Sequence, residues 1–160
     1  MQIKRRPETQ DDEAFLRRLV IDTVARELGA DAWPEPMRTH LLGIQFEGRR
    51  QSQRTNYPDA ASEVIEVDGR DAGWIVVMTM AHEVRLVEIM VAAEFRGRGI
   101  GSAAIGEVLA AAQSAGKPVL LHVNVMNGGA IRLYERLGFR RIGGDQVQHL
   151  MERSFSSWSK

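Results

Sequence analysis

The chain has 160 residues, 44% hydrophobic and 26% charged, with 21 basic and 21 acidic side chains. This is typical of a soluble globular protein, and the zero net charge favours neither a nucleic-acid nor a membrane partner. The absence of cysteine excludes disulfides, thiolate metal ligands and a cysteine nucleophile. The start of the chain lacks a signal-peptide pattern and the apolar runs are too short to span a bilayer, so we expect a cytoplasmic location. We expect a single domain over residues 1–160.

The first 60 residues predict a strand and two helices. Residues 1–6 are compatible with a strand, and Thr9 with Asp12 forms a capping-box pattern before a helix that should end at Gly29. Residues 47–60 are polar and poorly periodic, and we predict a frayed helix end and a loop there. The residues that mark the second helix are the N-terminal Pro34 and Pro36 and the partial apolar anchors Met37, Leu41, Ile44 and Phe46.

The remainder of the chain alternates between strand and helix patterns. Residues 62–80 predict two strands joined by a turn at Asp68-Gly69, and residues 83–93 predict a third strand. The segments that follow are a helix over 101–115, a strand over 118–125, a helix over 128–137 and a closing hairpin over 139–152. The predicted order is β-α-α-β-β-β-α-β-α-β-β, an α/β domain with a mixed sheet.

The stretch "EFRGRGIGSA", residues 94–103, places glycines at alternate positions between a predicted strand and a predicted helix. A dinucleotide-binding loop would need a glycine at Ser102, and no lysine is present to complete a P-loop, so both nucleotide motifs fail. A helix N-terminus with small residues favours a bound anion, and Arg96 and Arg98 add positive charge. A tight turn with solvated arginines is the alternative.

Two segments carry a resemblance to a known family. "VEIMVAAEFRGRGIGSAAI" resembles the signature of the GCN5-related N-acetyltransferases, whose coenzyme A motif is Gln or Arg, two variable residues, Gly, one variable residue, then Gly or Ala. "LLHVNVMNGGAIRLYERLGF" resembles the family's second hallmark, an Asn followed by an Ala and a Leu-Tyr pair, with Gly-Phe after the helix. The resemblance implies a mixed, mostly antiparallel, splayed sheet with helices on both faces.

The resemblance also implies acetyl-CoA as cosubstrate, without a metal. Its pantetheine arm would lie between the strand ending at Val91 and the strand containing His122, bound by backbone amides near Val91. Its pyrophosphate would lie on the glycine stretch. The residues expected to bind the cosubstrate are Met90, Val91, Arg96, Gly97, Arg98, Gly99, Ile100, Gly101, Ser102 and Asn127.

The resemblance implies a catalytic role for Tyr134, seven residues after Asn127, as the acid that protonates the departing thiolate. Glu88, inside an apolar strand, is one candidate base, and His122, sharing a strand face with Asn124, is another. The structural alternatives stay open: a core tyrosine, an N-cap asparagine, a solvated glutamate and a core histidine.

We therefore expect an acetyl-CoA-dependent N-acetyltransferase acting on a small-molecule amine or a peptide N-terminus by direct attack in a ternary complex. The alternatives are a non-catalytic acyl-CoA-binding regulatory domain and a nucleic-acid-binding module, the latter disfavoured by the charge balance. The acceptor should contact the first two helices, and a homodimer remains open. Residues of that segment that suit an acceptor are Trp33, Gln45, Arg49, Arg50, Gln53, Arg54 and Tyr57.

Overall fold

The computed structural model describes residues 1–155, so the last five residues of the predicted domain lie outside the described part. The strands are β1 Ile3–Pro7, β2 Ala61–Val67, β3 Arg70–Thr79, β4 Val84–Val91, β5 Val119–Asn124, β6 Arg140–Gly144 and β7 Gln148–Arg153. The helices are α1 Glu13–Leu28, α2 Met37–Asn56, α3 Ile100–Ser114 and α4 Gly128–Arg136. The predicted order of elements is confirmed. No helix within residues 1–155 combines the length and hydropathy needed to cross a membrane.

The strands form one sheet in the order β1-β2-β3-β4-β5-β7-β6. Neighbouring strands are antiparallel except β4 and β5, which run parallel. The parallel register joins Val84 to Val119 and Arg85 to Leu120, and no pairing of β4 with β5 is found beyond it in the described residues. The C-terminal halves of the two strands therefore separate, which confirms the splayed, mostly antiparallel sheet.

The helices cover both faces of the sheet because each contributes an apolar stripe to one of two cores. On one face, α3 and α4 pack through residues such as Ile105 and Tyr134 against the sheet. On the other face, α1 and α2 pack through residues such as Leu16 and Phe46 around Trp74. The cleft between β4 and β5 thus opens between two pairs of helices.

The start of α1 follows the predicted capping box. Asp12 accepts a hydrogen bond from the Thr9 amide at 2.8 Å and ends a short 3-10 turn, after which α1 begins. Gly29 ends the helix in the left-handed conformation with φ of 64°, which glycine adopts at little cost. Both ends of α1 are therefore as predicted.

The second helix differs from the prediction at its end and on its apolar face. Helix α2 continues to Asn56, through most of the segment predicted as a frayed end and loop. Of the predicted anchors, Met37, Leu41 and Ile44 are exposed, and Phe46 is buried with Leu42. The buried face of α2 is formed by Leu42, Phe46 and Arg50. A hydrophobic pattern counts Arg50 as polar, so the pattern did not predict that the helix continues past Phe46.

Arg50 is buried by a network that sequence spacing does not reveal. Its guanidinium lies 5.5 Å from the centre of the Trp74 ring and donates to both oxygens of Glu8, at 3.0 and 2.8 Å. The Glu8 carboxylate also accepts from Ser62, whose hydroxyl oxygen accepts from the Trp74 indole N–H. Arg50 therefore holds α2 against the sheet and is not free to bind an acceptor.

Candidate active site

A cavity of about 420 Å³ fills the cleft where β4 and β5 separate. Its walls come from both faces of the sheet: α1 and α2 on one side, and α4 with its N-cap residue on the other. The three candidate catalytic residues, Glu88, His122 and Tyr134, all line it, as do Met90 and Asn127. Tertiary folding thus brings together side chains that lie up to 46 positions apart in the sequence.

The glycine stretch forms the connection from β4 to α3. Gly97 and Gly99 both have φ of 76°, and no atom lies within 4 Å of the place where a Cβ would stand on either residue. Helix α3 begins at Ile100, so the amides of Ile100, Gly101 and Ser102 have no acceptor within the helix. The loop therefore offers an open surface, free of side chains at both glycines, beside a positive helix end.

The two arginines of this stretch differ in their contacts. The Nε of Arg96 donates to the carbonyl oxygen of Val91 at 3.0 Å, which ties the loop back to the end of β4. Burial lowers the pKa of Arg96, and Arg26 nearby lowers it further. Arg98 is exposed and lies 5.5 Å from the ring centre of Phe95, with Arg70 at 4.8 Å from the same ring. Arg98 of the loop and Arg70 of β3 therefore place two exposed cations on one buried ring.

The end of β4 directs a backbone amide into the cleft. The amide of Ala92 donates to the carbonyl of Ala72 at the β3 edge. Because successive residues of a strand present their amides to opposite edges, the amide of Val91 points away from β3, toward β5. Met90 pairs with Trp74 in β3 and contributes its side chain to the cavity wall. Val91 is thus suited to bind through its backbone, as the resemblance implies.

Asn127 is the N-cap residue of α4, and Tyr134 lies in the C-terminal half of that helix. The Asn127 side chain caps the helix by accepting from the Ala130 amide at 3.2 Å. Tyr134 is 8% exposed, and its ring packs edge-on against Phe139 with centres 5.8 Å apart. Burial raises the pKa of Tyr134 to about 12, and the negative charges of Glu88 and Glu27 contribute. The phenol is therefore protonated at neutral pH.

Glu88 faces the cavity from β4, opposite α2. A bulge beside it shifts the register, with Glu88 opposite Val76 and Leu86 opposite Val77. The Glu88 side chain is 19% exposed, and its Oε1 lies 3.3 Å from Nη1 of Arg49. Burial raises the pKa of Glu88, and Arg49 partly opposes this rise. Glu88 is thus neither a solvated edge residue nor an unpaired buried charge.

His122 lies on β5, opposite the face that Leu121 and Val123 bury in the core around α3 and α4. It is exposed, and its Nδ1 lies 3.5 Å from a guanidinium nitrogen of Arg85. Partial desolvation of the ring lowers the pKa of His122, and the positive charge of Arg85 lowers it further. His122 is therefore not a core histidine, and its environment disfavours the protonated form.

Sequence reasoning missed Glu27, which lines the cavity from the end of α1. Its Oε2 lies 3.7 Å from Nη2 of Arg49, so Glu27 and Glu88 share one guanidinium. A signal was present in the sequence, because a carboxylate in the last turn of a helix opposes the helix dipole. Basic residues are preferred at such positions, so an acidic residue there, Glu27, could have been singled out as a candidate for a functional role.

The mostly antiparallel sheet, with a cleft where β4 and β5 separate, is the fold of the acyltransferase class that the sequence resembles. Comparison with known proteins agrees with this assignment of the fold. Residues 12–139 match the sequence profile of the Acetyltransferase (GNAT) family. This match covers more than half of the chain, and the chain belongs to that family.

The fold is shared with solved structures of low sequence identity. The PaiA N-acetyltransferase from Thermoplasma acidophilum, solved in complex with coenzyme A, superposes with a TM-score of 0.74 at 17% identity, over 97% of this chain and 100% of the other. The ribosomal-protein-S18-alanine N-acetyltransferase from Escherichia coli superposes with a TM-score of 0.63 at 19% identity, over 99% of each chain. At these identities the likeness concerns the fold alone.

A sequence relative is the uncharacterized N-acetyltransferase MJ1207 of Methanocaldococcus jannaschii. It is 39% identical over an alignment of 84 residues that covers 48% of this chain and 37% of the relative. The match therefore spans well under half the length of the relative.

Proposed function

We propose that the protein is an N-acetyltransferase that moves an acetyl group from acetyl-CoA to a primary amine, on a small molecule or a peptide N-terminus. The observation that carries the proposal is the cleft that Tyr134 and Glu88 share, together with the open glycine loop that follows β4, the strand that carries Glu88. A loop of this kind binds phosphate, and a splayed strand end offers free amides to an extended arm. Membership of the family and the coenzyme A complex of the Thermoplasma protein support the assignment.

The glycine loop fits a pyrophosphate. Gly97 and Gly99 leave room for phosphate oxygens to reach the amides at the start of α3, and Arg98 supplies positive charge at the loop surface. Arg96 adds positive charge as expected, and its Nε also donates to the Val91 carbonyl, which orients the strand end. The Val91 amide would bind the arm of the cosubstrate or the developing oxyanion of the thioester carbonyl.

Tyr134 is the acid of the proposed reaction. The departing thiolate needs a proton, and a phenol that stays protonated at neutral pH can donate one across the cavity. The ring is held by its edge-on contact with Phe139, which limits the directions available to the hydroxyl. Asn127 contributes by capping the helix that carries Tyr134.

Glu88 is the base of the proposed reaction, in preference to His122. An amine acceptor is an ammonium ion at neutral pH and must lose a proton before its nitrogen can attack the thioester. A carboxylate with a raised pKa is better matched to that task than an ordinary glutamate. His122 faces the guanidinium of Arg85, which opposes the uptake of a proton by the ring.

Calorimetric titration with acetyl-CoA tests the proposal, with NADH and ATP as control ligands. We expect selective binding of acetyl-CoA in the micromolar range, followed by acetylation when a panel of amines is supplied. An absence of binding at millimolar acetyl-CoA would refute the proposal. Tight binding of acetyl-CoA without turnover on any amine would favour the non-catalytic acyl-CoA-binding domain instead.

A further inference from the structure

Arg49 of α2 lies between two carboxylates that belong to two other elements. Its Nη1 is 3.3 Å from Oε1 of Glu88 on β4, and its Nη2 is 3.7 Å from Oε2 of Glu27 on α1. A guanidinium can bind a single carboxylate through two parallel hydrogen bonds, which is the stronger arrangement. Here the two terminal nitrogens are directed to different acids, so neither carboxylate has the cation to itself.

The charges around Glu88 do not balance within the cavity. The other titratable groups that line the cavity are Glu27 from α1, Arg49 from α2, Tyr57 after α2, His122 from β5 and Tyr134 from α4. Arg85 lines the cavity from β4 itself, but its charge is paired with Glu83 at 2.8 Å. Two carboxylates therefore share one available guanidinium, which leaves one negative charge in the cavity.

We propose that Glu27 is a positioning residue for acetyl transfer: it holds Arg49 away from full pairing with Glu88, which leaves Glu88 able to accept the proton of the acceptor's ammonium group. In this step the acceptor N–H bond breaks and an O–H bond forms on Glu88. The nitrogen keeps the electron pair with which it attacks the thioester carbonyl. The inference rests on the proposed function for the assignment of Glu88 as base.

The electrostatics agree with this geometry. Burial is the largest cause that raises the pKa of Glu88, Arg49 lowers it, and Glu27 raises it. Removing Glu27 would free Arg49 to bind Glu88 alone and would remove a like charge, and both effects stabilise the Glu88 carboxylate. Removing Arg49 would have the opposite effect. The two neutralising variants should therefore shift the titration of Glu88 in opposite directions.

The test is a titration by NMR of protein labelled with ¹³C at the glutamate carboxyl groups, with the Glu88 signal assigned by Glu88→Gln. We expect Glu27→Gln to lower the Glu88 midpoint by about one pH unit and Arg49→Gln to raise it by a similar amount. Glu27→Ala removes the same charge with a strong helix former, and provides a second reading if the glutamine variant folds poorly. Glu27→Asp should return the midpoint toward that of the parent.

Glu47→Gln is the matched control, because Glu47 is an exposed acid on α2 that does not line the cavity. It should leave the Glu88 midpoint in place. An unchanged midpoint in both folded Glu27 variants would overturn the inference. The titration needs neither acetyl-CoA nor an acceptor, so its outcome is independent of the binding experiment that tests the proposed function. Once an acceptor is found, the acidic limb of the kcat profile should shift in the same directions.

Discussion

At the scale of single residues, Tyr134 shows how burial keeps a phenol in its neutral form. Its hydroxyl would ionise near pH 10 in water, and its place in the cavity raises that pKa to about 12. We expect Tyr134→Phe to reduce kcat about 100-fold or more while the dissociation constant of acetyl-CoA changes less than about twofold. Steady-state kinetics and calorimetry on the same preparations would check this, and unchanged turnover would refute the assignment of the acid.

The protonation of Tyr134 can be measured without a substrate. The chain has two tyrosines, Tyr57 and Tyr134, so Tyr57→Phe leaves Tyr134 as the one phenol that absorbs on ionisation. Because its pKa is raised, the neutral form should persist through the range near pH 10 where a free tyrosine ionises. Ultraviolet titration should show at most about a tenth of the phenol ionised at pH 11 while the fold is intact. A midpoint at pH 10 would contradict the buried environment described here.

At the scale of elements, the two ends of α3 offer a matched pair of glycines. Gly99 precedes the helix and Gly116 follows it, with φ of 76° and 69° and no atom near either Cβ position. Valine at either site forces a side chain into the left-handed region, so the two substitutions should cost similar stability. We expect Gly99→Val to weaken acetyl-CoA binding at least about tenfold and Gly116→Val to leave it unchanged. Equal effects on binding would mean that the loop does not hold the cosubstrate.

Helix α2 provides a second comparison within one element. Leu42 is 1% exposed in the core beneath α1 and α2, and its neighbour Leu41 is 37% exposed. We expect Leu42→Ala to lower the free energy of unfolding by about 2–5 kcal/mol, because it removes buried methyl groups and leaves a cavity. Leu41→Ala should cost less than about 1 kcal/mol. Urea denaturation of both variants would test the buried face that hydrophobic spacing did not identify.

At the scale of the whole molecule, Arg6 links segments that are distant in the sequence. Its guanidinium donates to both oxygens of Asp12, to Glu66 of β2 and to Asp71 of β3. Asp12 is buried, and the hydrogen bonds from Arg6 are the main cause that lowers its pKa to about 2. Arg6, which belongs to β1, therefore links the turn before α1 to β2 and β3.

The lowered pKa of Asp12 predicts how the free energy of unfolding depends on pH. A carboxyl with a depressed folded-state pKa stabilises the protein above its unfolded pKa and loses that contribution as the pH falls toward its folded value. The pKa falls from 3.8 to about 2, so Asp12→Asn should destabilise the protein by about 2 kcal/mol at pH 7. The difference from the parent should shrink below pH 4 in urea titrations. A difference that stays constant down to pH 2.5 would contradict this assignment.

Much of the fold was accessible from sequence because its signals are local. The turn at Asp68-Gly69 was predicted from its residue types, and both residues have positive φ, at 50° and 80°. The capping box before α1 and the glycine that ends it depend likewise on residues within one or two turns. The roles of Tyr134, Glu88, His122 and the glycine loop stay predictions, although the structure places the first three around one cleft.

The sequence by itself determined the order of the elements, the glycine connection and the position of Tyr134 after Asn127, because periodicity, turn chemistry and motif spacing act over short distances. The tertiary structure alone decided that Arg50 is buried on Trp74, that α2 continues to Asn56, and that Arg49 bridges Glu27 and Glu88. These features depend on side chains from separate elements meeting in space. A charge pattern along one helix contains no information about which carboxylates the fold will bring against it.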